Sequence, residues 1–216
     1  MGRVTARTSE RDARTATANG RPTAGTAESG ARTRTRRAIL DAAVAVLSAD
    51  RSASLGDVAQ AACVGRTTLH RYFPERSDLV EALGAEAVER TRAAVAAARL
   101  DDGDPVAALR RLAFEYFDLG PWYMVLFNEL SGGEPAFWEE SDAAEEPVRE
   151  LLRRGQADGV FDDQLTVSWL IRALWWMLFN AWAMHDEGEA TRADALRMAV
   201  RSIEGVALAR HTPGTA

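Results

Sequence analysis

The chain has 216 residues, 47% of them hydrophobic, so it can bury a core as one large domain or two small ones. Its single cysteine excludes an internal disulfide framework and fits a reducing cytosol, which predicts a cytoplasmic protein. No apolar run reaches the ~20 residues of a membrane span, because Arg172 and Asn180 interrupt the best candidate.

The net charge of −6 conceals an uneven distribution. All 26 basic residues are arginine; residues 1–37 hold 9 of them against 3 acids, and residues 77–216 hold 13 against 25 acids. A basic end on an acidic body favours one local DNA-facing surface over general binding of polyanions.

The first 31 residues are predicted to form a disordered basic tail. Apart from the initiator methionine, their only apolar side chain larger than alanine is Val4, which is too little to offset the entropy of ordering the segment. Their Arg, Thr and Ala content also resembles an organellar transit peptide, but a disordered arm is the simpler interpretation. Beyond the tail no strand-like alternation occurs, and the periodicity predicts an all-α fold of about nine helices.

Two helices open the folded part of the chain. In the first, apolar residues recur at spacings of three and four from Ile39 to Leu47, which is typical of an amphipathic helix. The second begins with the stretch "SLGD", where Ser54 and Asp57 are placed to form a capping box.

The next short helix, "RTTLHRYF", carries large apolar side chains on one face only. Leu69 and Phe73 point inward at a spacing of four residues, and Pro74 ends the helix. A capped helix, a tight turn and a second helix with a polar outer face form a helix-turn-helix, whose second helix enters the major groove of DNA. Similar helix pairs also occur as plain structural elements, so the pattern favours DNA binding without excluding a structural role.

Residues Thr35 to Leu83 resemble the N-terminal domain of the tetracycline-repressor (TetR) family of transcriptional regulators. The matching features are "ILDAA" in the first helix, "DVAQAACV" through the second helix and the turn, and "TLHRYFPERSDL". The resemblance implies a helix-turn-helix DNA-binding domain over residues 32–76, followed by a helical effector-binding and dimerisation domain over residues 77–216. This second part matches the family in architecture alone.

Three positions depart from the family's pattern. Cys63 stands where the turn usually has glycine, so a non-glycine residue is expected in a strained turn geometry. Gly65 replaces the usual serine before the recognition helix, and glycine is a tolerable N-cap. His70 replaces a tyrosine that contacts phosphate, which leaves a neutral polar contact or a pH-dependent charged one open.

The resemblance implies an operator-facing surface formed by Arg66, Thr67, Thr68, His70, Arg71 and Tyr72. Arg76 corresponds to a basic residue that holds a phosphate at the start of the fourth helix. The arginines at positions 32, 34, 36 and 37 are expected to flank this surface as an arm that reaches phosphates or the minor groove, the alternative being a solvated tail. The list of predicted DNA contacts therefore adds Arg36 and Arg37.

Further helices are predicted from periodicity and from prolines near helix starts. A long helix covers residues 76–100, and prolines mark starts at residues 105, 121 and 147. Asp162 or Asp163 is expected to cap an aromatic helix over residues 164–185, and the last helix covers residues 191–210.

The second half of the chain is rich in aromatic residues and holds all six tryptophans. A cavity lined by such side chains would suit a hydrophobic or aromatic ligand, although aromatic residues at helical spacing are commonly ordinary core. The predicted ligand-binding residues are Trp122, Tyr123, Phe127, Trp138, Trp176 and Asn180.

The aromatic helix is apolar on two sides, which indicates two partners. One stripe of this helix and the register of the last helix are predicted to form a two-fold four-helix interface between two copies of the chain. The predicted interface residues are Leu170, Leu174, Leu178, Leu196, Val200, Ile203 and Ala207, and Gly205 would allow close approach.

Catalysis is not favoured. The acidic stretch "DDGDP" at residues 101–105 has no second acidic motif to face it, and "HDEGE" at residues 185–189 is typical of a solvated turn. No catalytic triad or zinc site can be assembled, so neither a metal nor a cofactor is predicted. The sequence therefore predicts a homodimeric repressor released from a palindromic DNA operator by a small ligand. The alternatives are a helical-bundle ligand-binding protein or enzyme with a vestigial helix-turn-helix, and a regulator with a collapsed core and no effector.

Overall fold

The computed structural model describes residues 24–129 and 135–209. Within these ranges the regular elements are ten α-helices, and the sole strand-like pairing is an isolated bridge between Phe161 and Leu208. The predicted all-α fold is confirmed. The helices are α1 (Ala24–Ala49), α2 (Leu55–Ala61), α3 (Arg66–Tyr72), α4 (Arg76–Ala98), α5 (Pro105–Phe117), α6 (Gly120–Glu129), α7 (Pro135–Ala144), α8 (Glu146–Ala157), α9 (Val167–Asp186) and α10 (Arg192–Ala207). Helix α7 was not predicted, although a proline also stands at its first position.

The chain divides into two units, Met1–Thr35 and Arg36–Ala216. Residues 1–23 of the first unit, and with them most of the predicted tail, lie outside the described residues. From Ala24 onward the tail is helical instead of disordered, and it forms the start of α1. The physical reason is cooperativity, because extending an existing helix costs much less than nucleating a new one.

Apart from the earlier start of α1, the first three helices fold as the sequence predicts. The apolar stripe from Ile39 to Leu47 is buried, and so are Leu69 and Phe73 of the helix-turn-helix. The capping box of α2 is present: the Ser54 hydroxyl accepts from the Asp57 backbone N–H, and the Asp57 carboxylate accepts from the Ser54 backbone N–H at 2.8 Å.

The turn between α2 and α3 adopts the expected strained geometry. Cys63 has a φ of 55°, in the left-handed region that favours glycine. Its N–H donates to the Gln60 carbonyl at 3.1 Å, and the Val64 N–H donates to the Ala59 carbonyl at 2.9 Å, which is the Schellman pattern of a helix end. Gly65 then serves as the N-cap of α3 without a side-chain bond, so the recognition helix starts where the family motif implies.

The remaining helices form the body of the second unit. Helix α4 packs against α5, α6 and α7, while α9 packs against α10, α5 and α8. Because α4 begins at Arg76, it connects the helix-turn-helix to this body. The unit that starts at Arg36 has no division at residue 76, so the predicted domain boundary stays a prediction.

The aromatic helix starts later than predicted. Its N-cap is Thr166, whose hydroxyl accepts from the Trp169 backbone N–H at 3.2 Å. Asp162 stabilises the preceding loop instead, by accepting from the Gln164 N–H at 2.9 Å. Over the described ranges, none of the helices combines the length and the apolar character needed to cross a membrane.

Candidate DNA-binding surface and ligand cavity

Helix α3 presents a polar surface on the side opposite its two buried anchors. Arg66, Thr67, His70 and Arg71 are exposed, and Thr68 and Tyr72 are half-buried. Because Leu69 and Phe73 are at most 3% exposed, the helix is fixed to the unit while its outer face stays available to a ligand. The six residues predicted to face an operator therefore lie on one short helix, with two arginines near its ends.

The polar groups of α3 are held in defined positions. The Arg66 side chain lies over Gly56 at the start of α2, and its charge contributes to lowering the pKa of Asp57, after the larger effect of the hydrogen bonds from Ser54. The Arg71 guanidinium lies 5.8 Å from the centre of the Tyr72 ring. His70 Nδ1 lies 3.2 Å from the carbonyl oxygen of Pro74. Since a carbonyl oxygen can only accept, Nδ1 is the donor and Nε2 remains for an outside partner.

The arginines before α3 have different surroundings. Arg36 is half-buried and its guanidinium lies 5.8 Å from the centre of the Phe73 ring, whereas Arg37 is exposed and lies 4.0 Å from Glu86. Arg32 and Arg34 belong to the first unit and are exposed. Arg36 thus contacts the recognition motif through the Phe73 ring.

Arg76 does not have the outward position that the sequence analysis expected. Its guanidinium donates to the carbonyl oxygens of Arg51 and Ala53 at 3.1 Å and 2.6 Å, and to both carboxylate oxygens of Glu129 at 2.7 Å and 3.0 Å. The bond to Glu129 raises the pKa of Arg76. With four of its five donors occupied internally, Arg76 connects the α1–α2 loop to the end of α6 rather than presenting itself to phosphate.

A cavity of about 460 Å³ lies among α6, α7 and α9, within the range typical of small-molecule sites. Four of the six predicted ligand residues line it: Tyr123, Phe127, Trp138 and Trp176. The other lining residues are Ser141, Asp142, Glu145, Ile171, Arg172, Trp175 and Phe179.

Two predicted ligand residues do not line this cavity. Trp122 is buried and its ring lies 4.0 Å from the Arg90 guanidinium, in a cation–π contact. Asn180 is exposed, and its amide lies 3.9 Å from the Met184 sulfur. Both assignments are corrected, because helical spacing shows that residues share a face but not what that face meets.

The aromatic wall is built around Trp175, which was not among the predicted ligand residues. Its ring stacks on Tyr116 at 4.7 Å and lies 4.5 Å from Tyr123 and 5.5 Å from Phe179. Phe179 was missed, although it follows Trp175 by one helical turn. These rings give the cavity an apolar interior.

Glu145 brings a carboxylate to this aromatic wall. It is 6% exposed and accepts a hydrogen bond from Trp175 Nε1 at 2.6 Å. Burial raises the pKa of Glu145, and the Trp175 bond and the charge of Arg149 oppose that rise in part. The Tyr116 hydroxyl is buried beside the carboxylate and affects its pKa, but no hydrogen bond of ordinary geometry joins them. In the sequence, an acid before "EP" at the start of a helix gives no signal of burial.

Tyr123 links three helices at the edge of the cavity. Its hydroxyl oxygen lies 2.8 Å from the Thr91 hydroxyl of α4 and 3.3 Å from the Ser141 hydroxyl of α7. Burial raises the pKa of Tyr123, so its hydroxyl keeps its proton for these bonds. A change in the position of the Tyr123 ring would therefore act directly on α4 through the hydrogen bond to Thr91.

The predicted interface residues lie in the wrong place for contact with a second copy. Six of them are at most 5% exposed within a single chain and pack in its own core, and Val200 is half-buried. The six are Leu170, Leu174, Leu178, Leu196, Ile203 and Ala207. The stripe is apolar, as predicted, but it is satisfied inside the chain and is not a free docking face.

The exposed apolar face of α9 and α10 lies elsewhere. Trp169 and Trp176 of α9 are 58% and 68% exposed, and Met198 of α10 is 43% exposed. Nothing lies within 4 Å of a side-chain carbon placed on Gly205 of α10, so that position also faces open space. Large exposed apolar side chains on two neighbouring helices, here two tryptophans of α9 and a methionine of α10, are typical of a surface that another molecule covers.

The two acidic stretches do not form a metal site. Asp101 pairs with Arg154 at 2.6 Å, and Asp104 caps α5. His185 Nδ1 lies 3.3 Å from the Ala190 carbonyl oxygen in the loop that follows α9. Among the described residues, no group of three or more histidine, cysteine, aspartate or glutamate side chains is placed to hold a metal ion.

Comparison with known proteins is consistent with this geometry. Residues 39–83 match the model of the family "Bacterial regulatory proteins, tetR family". Over 155 residues the chain is 40% identical to the HTH-type transcriptional repressor LfrR of Mycolicibacterium smegmatis, covering 71% of this chain and 80% of that protein. Over 138 residues it is 30% identical to the HTH-type transcriptional regulator NfxB of Pseudomonas aeruginosa, covering 61% and 72%. The crystal structure of LfrR in complex with proflavine superposes with a TM-score of 0.70 at 36% identity, covering 80% of this chain and 96% of that one.

Proposed function

Because this chain belongs to the tetR family of bacterial regulatory proteins and is a DNA-binding transcriptional regulator rather than an enzyme, we propose that it acts as a homodimeric repressor that a small aromatic ligand releases from its operator. Regulators of this family bind operator DNA, dimerise and bind small molecules. The proposal assigns these three roles to particular surfaces of the chain and places its action in the cytoplasm.

The outer face of α3 is the proposed operator-reading surface. Arg66 and Arg71 are five residues apart, so they are separated by ~7.5 Å along the helix axis and can reach neighbouring phosphates or guanine edges. Thr67 and His70 lie between them and are exposed. The operator is proposed to be palindromic, because two copies of α3 in a symmetric dimer require two half-sites ~34–36 Å apart.

The proposed dimer partner is a second copy of the chain, seated on the exposed face of α9 and α10. Trp169 and Trp176 are eleven and four residues before Asn180, so all three share one face of α9. On α10, Met198 and Gly205 are seven residues apart and also share a face. Two large side chains beside a helix surface without a side chain at Gly205 would allow close packing of four helices around a two-fold axis.

The cavity is the proposed effector site. Its volume of about 460 Å³ and its wall of Tyr, Phe and Trp rings suit a flat aromatic molecule of three or so fused rings. The relative LfrR was crystallised with proflavine, a tricyclic aromatic compound, which supports the same class of ligand for this chain.

Two arginines of α4 provide the proposed connection between the cavity and DNA. Arg76 joins the α1–α2 loop to Glu129, the last residue of α6. Arg90 donates to Asp41 of α1 at 2.7 Å and lies over Trp122, near the start of α6. Helix α6 also supplies Tyr123 and Phe127 to the cavity wall. A ligand that moves α6 would therefore displace the helix-turn-helix at two points of contact. The loss of DNA affinity equals the ratio of the ligand's affinities for the form that does not bind DNA and the form that does.

The observation that carries this proposal is that one compact unit holds both the polar recognition helix and the aromatic cavity, with both ends of α6 tied to the DNA-binding helices. The test is an in vitro selection of fragmented genomic DNA with the purified protein at near-physiological salt. An enriched two-fold symmetric site is expected, and aromatic compounds that quench tryptophan fluorescence should release it. If no DNA fragment is enriched while such compounds still bind, the chain is a helical ligand-binding protein with a vestigial helix-turn-helix.

A further inference from the structure

The charged side chains that line the cavity differ in their exposure to solvent. Arg172 lies on the wall but is exposed, and Asp142 is exposed and its carboxylate is bound by Arg149 at 2.7 Å. Glu145 alone among the charged lining residues is buried. Water screens exposed charges, whereas a buried charge acts through a low dielectric, so Glu145 dominates the electrostatic character of the interior.

The Glu145 carboxylate has few partners, and those that donate to it or lie beside it, the Trp175 N–H and the Tyr116 hydroxyl, are neutral. An ionised carboxylate has about four acceptor sites, and here the Trp175 N–H occupies one of them at 2.6 Å. Within the described part of the chain, no arginine or histidine forms an ion pair with it. A buried carboxylate without a counter-ion is costly, so this site favours either a proton or a cation.

The groups that face Glu145 come from every helix packed against it. They are Tyr116 of α5, Tyr123 of α6, Asp142 of α7, Arg149 of α8 and Trp175 of α9. Arg149 is the one cation of this set, and its guanidinium donates to the Asp142 carboxylate. The remaining groups supply aromatic faces, whose negative π-surfaces also attract a cation.

We propose that Glu145 is the counter-ion of the effector site and that the effector is a planar aromatic cation. This inference rests on the proposed role of the cavity as a ligand site. The positive charge of the ligand lies against the carboxylate, and its rings lie against Trp175 and the neighbouring aromatic side chains. No covalent step is involved: the bound cation replaces the proton that the buried carboxylate would otherwise favour.

A consequence is that binding of the cation and ionisation of Glu145 are linked. Burial raises the pKa of free Glu145, and a bound cation lowers it again. Below the raised pKa, the ligand must displace a proton, so affinity should fall as the pH falls through that value and protons should be released on binding.

The test compares two ligands of almost the same shape at pH 8: N-methylacridinium, which is a permanent cation, and acridine, which is uncharged. Calorimetric titration of the wild-type protein should give affinity for the cation roughly 10- to 100-fold higher than for acridine. In Glu145→Gln this preference should disappear, while affinity for acridine stays within about threefold. The glutamine oxygen can still accept from Trp175 Nε1, so the variant separates the charge from a structural role of the side chain.

Glu146→Gln is the matched control, because it removes one negative charge from the adjacent position, which is exposed and paired with Arg153 at 2.9 Å. It should keep the preference for the cation. Equal binding of both compounds by the wild type, or a preference that survives Glu145→Gln, would overturn the inference while leaving the aromatic effector site intact. Binding of neither compound would overturn it as well. In that case, release of the selected operator by other aromatic compounds decides whether the proposed function stands.

Discussion

Arg76 and Glu129, which are 53 residues apart in the sequence, form a bidentate ion pair with Nη2–Oε1 and Nε–Oε2 distances of 2.7 Å and 3.0 Å. The same guanidinium holds the backbone of the α1–α2 loop through the carbonyl oxygens of Arg51 and Ala53. Such paired donors fix direction as well as distance. The end of α6 and the start of the helix-turn-helix are therefore joined through one side chain, which makes this pair a candidate for carrying ligand occupancy to DNA.

Glu129→Gln should weaken that coupling. The amide keeps one hydrogen-bond acceptor but loses the negative charge and one of the two hydrogen bonds. The ligand should therefore lower operator affinity less in the variant than in the wild type, with the coupling factor reduced by about 2- to 30-fold. The measurement is the operator Kd with and without a saturating aromatic ligand, and the ligand Kd must respond to operator by the same factor. Asp118→Asn, which breaks the exposed pair with Arg192, is the control and should leave coupling unchanged. Wild-type coupling in Glu129→Gln would remove the pair from the mechanism.

Arg71→Ala should weaken operator binding without affecting the fold. Arg71 is exposed, and its guanidinium lies 5.8 Å from the centre of the Tyr72 ring. If it binds phosphate, the slope of log Kd against log salt should fall by about 0.9, and if it reads a base, discrimination at one position should drop by about 1–3 kcal/mol. Arg153→Ala on α8 serves as the control for the loss of one positive charge. Reduced helicity or a changed oligomer mass in Arg71→Ala would show that the residue is structural.

The sequence was most informative where structure depends on near neighbours. The capping box of Ser54 and Asp57, the anchors Leu69 and Phe73, and the strained turn at Cys63 are each set by residues within about one helical turn. Their outcome follows from local hydrogen bonds and helical periodicity, so it could be predicted.

Roles that depend on distant partners could not be predicted in the same way. The stripe containing Leu170 and Leu174 has the correct period, but periodicity does not say whether its partner is the same chain or another. Glu145 becomes a buried acceptor through Trp175, 30 residues away, and Arg76 turns inward toward Glu129. These contacts arise from the packing of whole helices, which no short stretch of sequence encodes.

Cys63→Gly should stabilise the protein by about 1 kcal/mol. The residue has a φ of 55°, and the left-handed region costs an L-amino acid ~1–2 kcal/mol of strain that glycine avoids. Glycine loses more backbone entropy on folding, which offsets part of this gain. Urea unfolding followed by circular dichroism measures the change. Cys63→Ala keeps the strained backbone and removes only the exposed thiol, so it should be no more stable than the wild type. A stabilised alanine variant would place the effect in the thiol and not in the backbone.

Glu145→Gln should be more stable than the wild type at pH 8 in the absence of ligand. The pKa of Glu145 is raised in the folded protein, so the folded state is favoured at low pH and loses stability as the pH rises through that pKa. Glutamine stays neutral at every pH, and the stability advantage of the variant should shrink as the pH falls toward the carboxyl's unfolded value of ~4.3. Urea midpoints between pH 5 and pH 8 test this. An advantage that does not depend on pH would mean that charge is not its cause.

Gly155→Ala and Gly205→Ala should have opposite effects on the free energy of unfolding, because the two glycines face different surroundings. A side-chain carbon at Gly155 would lie 2.1 Å from Phe161 Cδ2, so alanine forces the buried ring to move and should cost about 1–3 kcal/mol. Gly205 lies in α10 with open space around it, and alanine there should stabilise the single chain by up to about 1 kcal/mol through its helix propensity. If a second copy packs on that face, however, Gly205→Ala should also weaken the dimer, which sedimentation across a concentration series measures. A variant with higher chain stability and unchanged dimer affinity would exclude Gly205 from the proposed contact between subunits.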